Sequence, residues 1–275
     1  MASGKKAALY GCLGCGGFLL LVILLLIAGV GFLSYQGYKF GKGVGESYNQ
    51  TALEYNETNR EFTFTPPENG VMDAQRVEAL LDIRSHLVEF SNGKLEALEQ
   101  TGVEIGETFD APGLFNKIHG AKKIAHIVQQ AAHLASDIGQ EHIRLLRSQA
   151  MSAKEYQWIM KTYLGTLSQA ANQNIQDASK MWSDYLVDLE SSRQKMGDMN
   201  IDTGRHRIRG QDFNHHELEG RLKDVPFLQE NYDIFQKTSQ QLLPGENAAI
   251  LDFLAIQLDE FIQESIKNAG GQGRE

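Results

Sequence analysis

Apolar and polar positions divide the chain into one unbroken apolar run followed by a long body of helical periodicity. The run Gly17 to Tyr35 carries no charged side chain. A helix needs roughly 20 apolar residues to cross the hydrocarbon of a bilayer, and no later apolar stretch escapes interruption by charged or amide side chains. The pattern therefore predicts a single crossing at residues 17–36, behind a short N-terminal segment, 1–16. Tyr10 on one flank, with Tyr35 and Tyr38 on the other, suits the interfacial belts where aromatic rings sit. Uncharged sequence continues past Gly29-Val30-Gly31, the site a signal peptidase would use, so the run reads as an uncleaved signal anchor. Lys5 and Lys6 before it are matched by Lys39 and Lys42 after it. Orientation then rests on the short leader, which places the large domain outside the cytoplasm.

Beyond the anchor the period changes. Residues 37–70 are expected to form a juxtamembrane linker and an extended arm, because Gly37, Gly41, Gly43 and Gly45 disfavour helix outside lipid. On a continuing helix, Gly37, Gly41 and Gly45 would instead form a smooth stripe for close packing within the membrane or between copies, so a homo-oligomer is a second expectation. Asn49-Gln-Thr51 and Asn56-Glu-Thr58 are sequons. Glu61 to Thr65 alternates like a short strand, and Pro66-Pro-Glu-Asn-Gly70 ends it with turn chemistry; Phe62 and Phe64 are expected to pin this arm to the body.

Residues 71–268 read as a helical bundle. Asp73 is an N-cap with Met72 and Val77 as its staple, and Val77, Leu80, Leu81, Leu87 and Val88 follow at helical spacing to about Leu98. Asp110-Ala-Pro112 opens a second helix to about Gln149. Ser152-Ala-Lys-Glu155 is a capping box, with Met151 and Tyr156 as staple, and starts a third helix reaching Met196. Residues 197–223 form an irregular loop. Asp224-Val-Pro226 starts a fourth helix to Leu243, and a fifth runs from about Asn247 to Ile266, with Ile250, Leu251, Leu254, Leu258, Phe261 and Ile262 inward. Residues 269–275 form a disordered tail. Five helices, mostly short connections and no alternation of strand with helix predict an all-α fold, an antiparallel bundle behind a transmembrane helix.

Charge narrows the partners. Residues 1–45 carry four lysines and no acid, so the remainder, with 22 basic and 35 acidic residues, holds a net charge of -13. That excludes generic binding to nucleic acid or to anionic lipid, which needs a basic surface. The bilayer through residues 17–36 and a protein partner are the contacts expected. Both cysteines, Cys12 and Cys15, precede the apolar run, so the body has no disulfide and depends on its core.

Histidines carry the candidate chemistry. His119, His126 and His133 recur every seven residues on one helix face, with Asp137 a turn beyond the last. Seven residues are about 10.5 Å of helix rise, whereas imidazole nitrogens on one zinc lie about 4 Å apart, so one helix cannot supply two of them to one ion. The loop Arg205-His-Arg-Ile-Arg209 through His215-His216-Glu217 is the better metal candidate. Asp212, His215, His216 and His206 carry ligand atoms, and Arg205, Arg207 and Arg209 would line one side of an extended backbone. The zinc-protease pattern fails because Gly220 stands where its second histidine belongs. No phosphate loop, serine elbow or paired Glu-x-x-His motif occurs, so no catalytic residue is assigned and no cofactor is expected.

Three segments, Thr65-Pro-Pro-Glu-Asn-Gly70, Arg76-Val-Glu-Ala-Leu-Leu-Asp-Ile-Arg84 and Met151-Ser-Ala-Lys-Glu-Tyr-Gln-Trp-Ile159, resemble parts of uncharacterised membrane-anchored helical proteins of bacteria. The resemblance implies a bacterial envelope setting and brings no activity. The function expected is that of an adaptor, scaffold or sensor-type binding module with no identifiable catalysis; the alternative is a metal-dependent enzyme or metal-binding protein built on the His206, Asp212, His215 and His216 loop.

Overall fold

The computed structural model describes residues 38–109, 136–196, 200–202, 207–209, 215–242, 246–259 and 262–263. The expected anchor at 17–36, both cysteines, Gly37, the heptad histidines His119, His126 and His133, and the tail from 269 lie outside them. Among the described residues no helix is long and apolar enough to cross a membrane.

The fold is an all-α bundle. Its helices are α1, Tyr38–Glu61; α2, Ala74–Phe109; α3, residues 136–148; α4, Ala153–Asn172; α5, Gln176–Met196; α6, His215–Leu222; α7, Gln229–Thr238; and α8, Glu246–Ile256. A 3-10 turn, Ser239–Gln241, extends α7. Helix α4 is central and packs against α1, α2, α5, α6, α7 and α8. It buries Tyr156, Ile159, Met160, Tyr163, Leu164, Leu167 and Ala170 along one face and Thr162, Gly165 and Ser168 on the other, so its middle is enclosed all round, as a core helix must be.

The first helix of the body runs past its expected end near Leu98 to Phe109, and four further places differ from the sequence pattern. First, the arm expected over 37–70 is helical to Glu61 from Tyr38, and only residues 62–73 lie outside helix. Gly41 and Gly45 therefore stand four residues apart on a helix. Local propensity is overridden here by packing, because α1 buries Thr51, Ala52, Tyr55 and Thr58 at helical spacing. Its approach to α3 is close: a Cβ on Gly139 would stand 2.7 Å from Thr51 Cγ2.

Second, no strand forms at Glu61 to Thr65; the arm is pinned by side chains instead. Phe64 packs on Trp158 with ring centroids 5.5 Å apart, as the sequence predicts. Buried Asn231 of α7 accepts from Met72 N–H at 2.8 Å and donates to Gly70 C=O at 3.0 Å. Gly70 itself has φ 68°, the left-handed conformation that ends the Pro67 to Gly70 turn.

Third, the single helix expected over 152–196 is broken at Asn174, which has φ 58°. Ile175 N–H bonds to Ala170 C=O at 3.2 Å and Asn174 N–H to Ala171 C=O at 2.9 Å, a Schellman termination that turns the chain into α5. Asn is the side chain after Gly that best tolerates this conformation, so the break was encoded without a glycine or proline. A second Schellman turn joins α3 to α4, with Ala150 at φ 45° and Met151 N–H on Leu146 C=O at 2.9 Å.

Fourth, the irregular loop at 197–223 contains structure. Asn200–Asp202 (β1) pairs antiparallel with Arg207–Arg209 (β2), and α6 occupies its last third, because Leu218 and Leu222 are four apart and both buried. The fourth helix starts at Gln229, after residues 226–228, which are not helical and end on Leu228 as an extended N-cap. The fifth turns Ala248, Ala249, Phe253 and Ile256 inward, and Leu258 and Ile262 follow as expected.

Two helix starts follow the sequence pattern closely. Asp73 Oδ1 accepts from the N–H groups of Gln75 at 2.8 Å and Arg76 at 3.2 Å. Ser152 Oγ accepts from Glu155 N–H at 3.0 Å, but the reciprocal half of that capping box is replaced. The Glu155 carboxylate instead takes two bonds from Arg76 of α2, at 2.7 and 2.8 Å. Arg76 also donates to Gln149 C=O at 2.9 Å and Ala150 C=O at 3.2 Å, the free carbonyls where α3 ends.

Candidate functional site

The described surface carries an open groove of about 790 Å³ between α5, α6 and the α4–α5 joint. It exists because the Asn174 turn sets α5 against α4 while short α6 lies across both. Trp182, Leu186 and Val187 of α5 supply its apolar wall; Asn172 and Asn174 supply polar groups from the joint. Glu190 of α5 and Glu219 of α6 add carboxylates. Val187 is 63% exposed, a large apolar side chain left in water. The wall is braced from behind, since Trp182 stacks on Tyr185 at 5.6 Å and 6° and the Tyr185 hydroxyl donates to Ala249 C=O of α8 at 3.3 Å.

One of the metal candidates lines this groove. His215 opens α6 and faces into it, its ring 3.9 Å from that of His216, and His216 Nδ1 is 4.0 Å from Glu219 Oε2. His206 and Asp212 lie outside the described residues. Among the described residues no three His, Cys, Asp or Glu side chains gather as a metal would require. The backbone at Arg207 and Arg209 is extended, in register with Asp202 and Asn200. Asp137, the expected partner of His133, accepts from Lys94 Nζ of α2 at 3.0 Å.

A second set of polar groups is buried in the bundle, and sequence reasoning missed it. Arg84 of α2 makes two bonds to Asp252 of α8, Nε to Oδ1 at 2.7 Å and Nη2 to Oδ2 at 2.9 Å, with both side chains 2% exposed or less. Burial works against the guanidinium charge, but the Asp252 charge and bonds outweigh it, so Arg84 holds its proton more tightly than usual. Nearby, burial and the Asp252 charge push the phenols of Tyr156 and Tyr185 up. Tyr163 is pushed up to about 12 by burial, with its hydroxyl 3.3 Å from Thr238 Oγ1.

Next to Tyr156 lies His142 of α3. Its Nδ1 is 2.9 Å from the hydroxyl of Tyr55 of α1, and its ring meets Tyr156 edge-on at 4.5 Å. His142 Nε2 is buried and has no hydrogen-bond partner among the described residues. The signal for these groups was present in the period: Arg84 falls between Leu80, Leu81 and Leu87, Val88, and Asp252 between Ala249 and Ile256, all core positions. A charge at an inward position of a helix, matched by its opposite on another helix, identifies a buried pair. Compared with known proteins, the chain matches no family model, no curated protein and no solved structure.

Proposed function

We propose that this chain is a single-pass protein of a bacterial envelope whose helical bundle acts as a binding module, an adaptor, scaffold or sensor input. Residues 17–36 cross the bilayer as an uncleaved signal anchor, and the bundle stands on the extracytoplasmic side. Support comes from the charge-free run ending at Tyr35, three residues before α1 begins, and from the acidic body. Protease added to intact spheroplasts digests the bundle if this orientation holds; full protection overturns it.

The groove between α5 and α6 carries the binding reading. Its occupant is a segment of a partner protein bearing a cationic side chain next to an apolar one. The apolar residue covers Val187 and Leu186, and the cation meets Glu219 and Glu190, in keeping with the net charge of -13. A photo-crosslinking residue at Val187, in the full chain in its own membrane, yields one discrete adduct that Glu219→Lys weakens about tenfold, the effect of roughly 1.4 kcal/mol. The same probe at Leu53 of α1, also exposed, yields none. No adduct at Val187, or one indifferent to the reversed charge, overturns the reading.

A further inference from the structure

We infer that the seam between α1 and the bundle is a proton-sensitive latch: protonation of His142 releases α1 while the remaining helices stay packed. Three observations support it. Of the described α1 side chains, Tyr55 is the one that joins the continuous apolar core; Thr51, Ala52 and Thr58 bury little apolar surface. The apolar part of the junction therefore depends on Tyr55, beside the Asn59 bond to the Lys154 N–H, and Tyr55 ends on the imidazole of His142.

The imidazole is built to be neutral. Tyr55 from α1 and Tyr156 from α4 face it with phenols. Arg84 of α2 and Asp252 of α8, whose charges reach Tyr156, bond to each other. Along the rim Arg147 of α3 lies 3.5 Å from Glu57 and 3.4 Å from Glu61 of α1, while Glu141 pairs with Arg144. Among the described residues none of these charges is bonded to the ring, and Nε2 has no acceptor. A proton on His142 is thus a buried charge without a counter-ion, which α1 withdrawal would hydrate.

Burial holds His142 at about 3, far below its ordinary 6.5. The docked form is neutral across that interval and the released form takes up a proton, so docking weakens as pH falls from 6.5 towards 3. The loss approaches tenfold per pH unit, about 30-fold at pH 5. The latch is independent of what the groove binds.

Amide hydrogen exchange on the full chain in lipid nanodiscs tests it, with protection corrected for the intrinsic rate. In a Cys12→Ser, Cys15→Ser background, residues 50–61 lose about 30-fold protection between pH 7.5 and pH 5, while Ile159 to Leu167 of α4 keep theirs. His142→Phe removes the pH dependence. A Thr51→Cys, Gly139→Cys bridge restores α1 protection at pH 5 until it is reduced; the Gly139 Cβ position lies 3.9 Å from Thr51 Cβ, within disulfide range. The bridged form carries the test alone should His142→Phe not fold. Unchanged α1 protection at pH 5, an equal fall in α4, or the same fall in His142→Phe overturns the latch.

Discussion

Arg84 and Asp252 lie 168 residues apart in sequence and meet in the core through two parallel hydrogen bonds. They connect α2 with α8, with both side chains 2% exposed or less. A pair of this kind adds little over a well-packed apolar pair, but half of it is costly. Arg84→Met and Asp252→Leu are each expected to lose about 3 to 5 kcal/mol in urea unfolding. Arg84→Met with Asp252→Leu recovers most of that loss. A double variant as unstable as the sum of the singles would mean that the two side chains act independently and not as a pair.

Ala150 occupies the left-handed position of the turn that ends α3, where its Cβ crowds the backbone. Glycine has no such penalty. Ala150→Gly is expected to raise stability by about 1 kcal/mol despite glycine's greater freedom when unfolded. The Arg76 side chain bonds only to the main-chain carbonyl of Ala150, so that bond survives the change. A midpoint unchanged or lowered would mean that the turn is not strained as its φ indicates.

Gly165 is required for a different reason, the contact between α4 and the segment after α6. A Cβ there would lie 2.6 Å from Val225 Cβ and 2.7 Å from each of its methyls. Gly165→Ala therefore costs about 1 to 3 kcal/mol by overpacking, even though alanine is the better helix former. Val225→Gly removes the obstructing Cβ together with both methyls, so the double variant should lie closer to wild type than the two single losses predict. Additive losses would place the strain elsewhere.

How far the sequence reveals the fold depends on what each element obeys. Asp73 and Ser152 were legible as helix starts because capping is local chemistry, set within three residues. Asn174 was not, since an asparagine in the left-handed region looks like any helical polar residue until the neighbouring packing is known. Residues 46–61 mislead for the same reason: their helix is secured by Tyr55 and Asn59, whose partners His142 and the Lys154 N–H lie far along the chain. At the groove, His215 was recognised by residue type, whereas Trp182 and Val187 read only as one more helical face. The groove arises from the angle of α5 against α6, a tertiary quantity that no local period records.

Helix α1 is 24 residues long, a rod of about 36 Å. Tyr55 sits about 25 Å from its Tyr38 end, the end that follows the apolar run. Tilting such a rod by about 10° at Tyr38 carries Tyr55 sideways by roughly 4 Å, if the rod stays straight. That exceeds the 2.9 Å between its hydroxyl and His142. The same joint that answers to protons is thus placed at the end of a lever, where a change of slope near Tyr38 becomes a broken contact in the core.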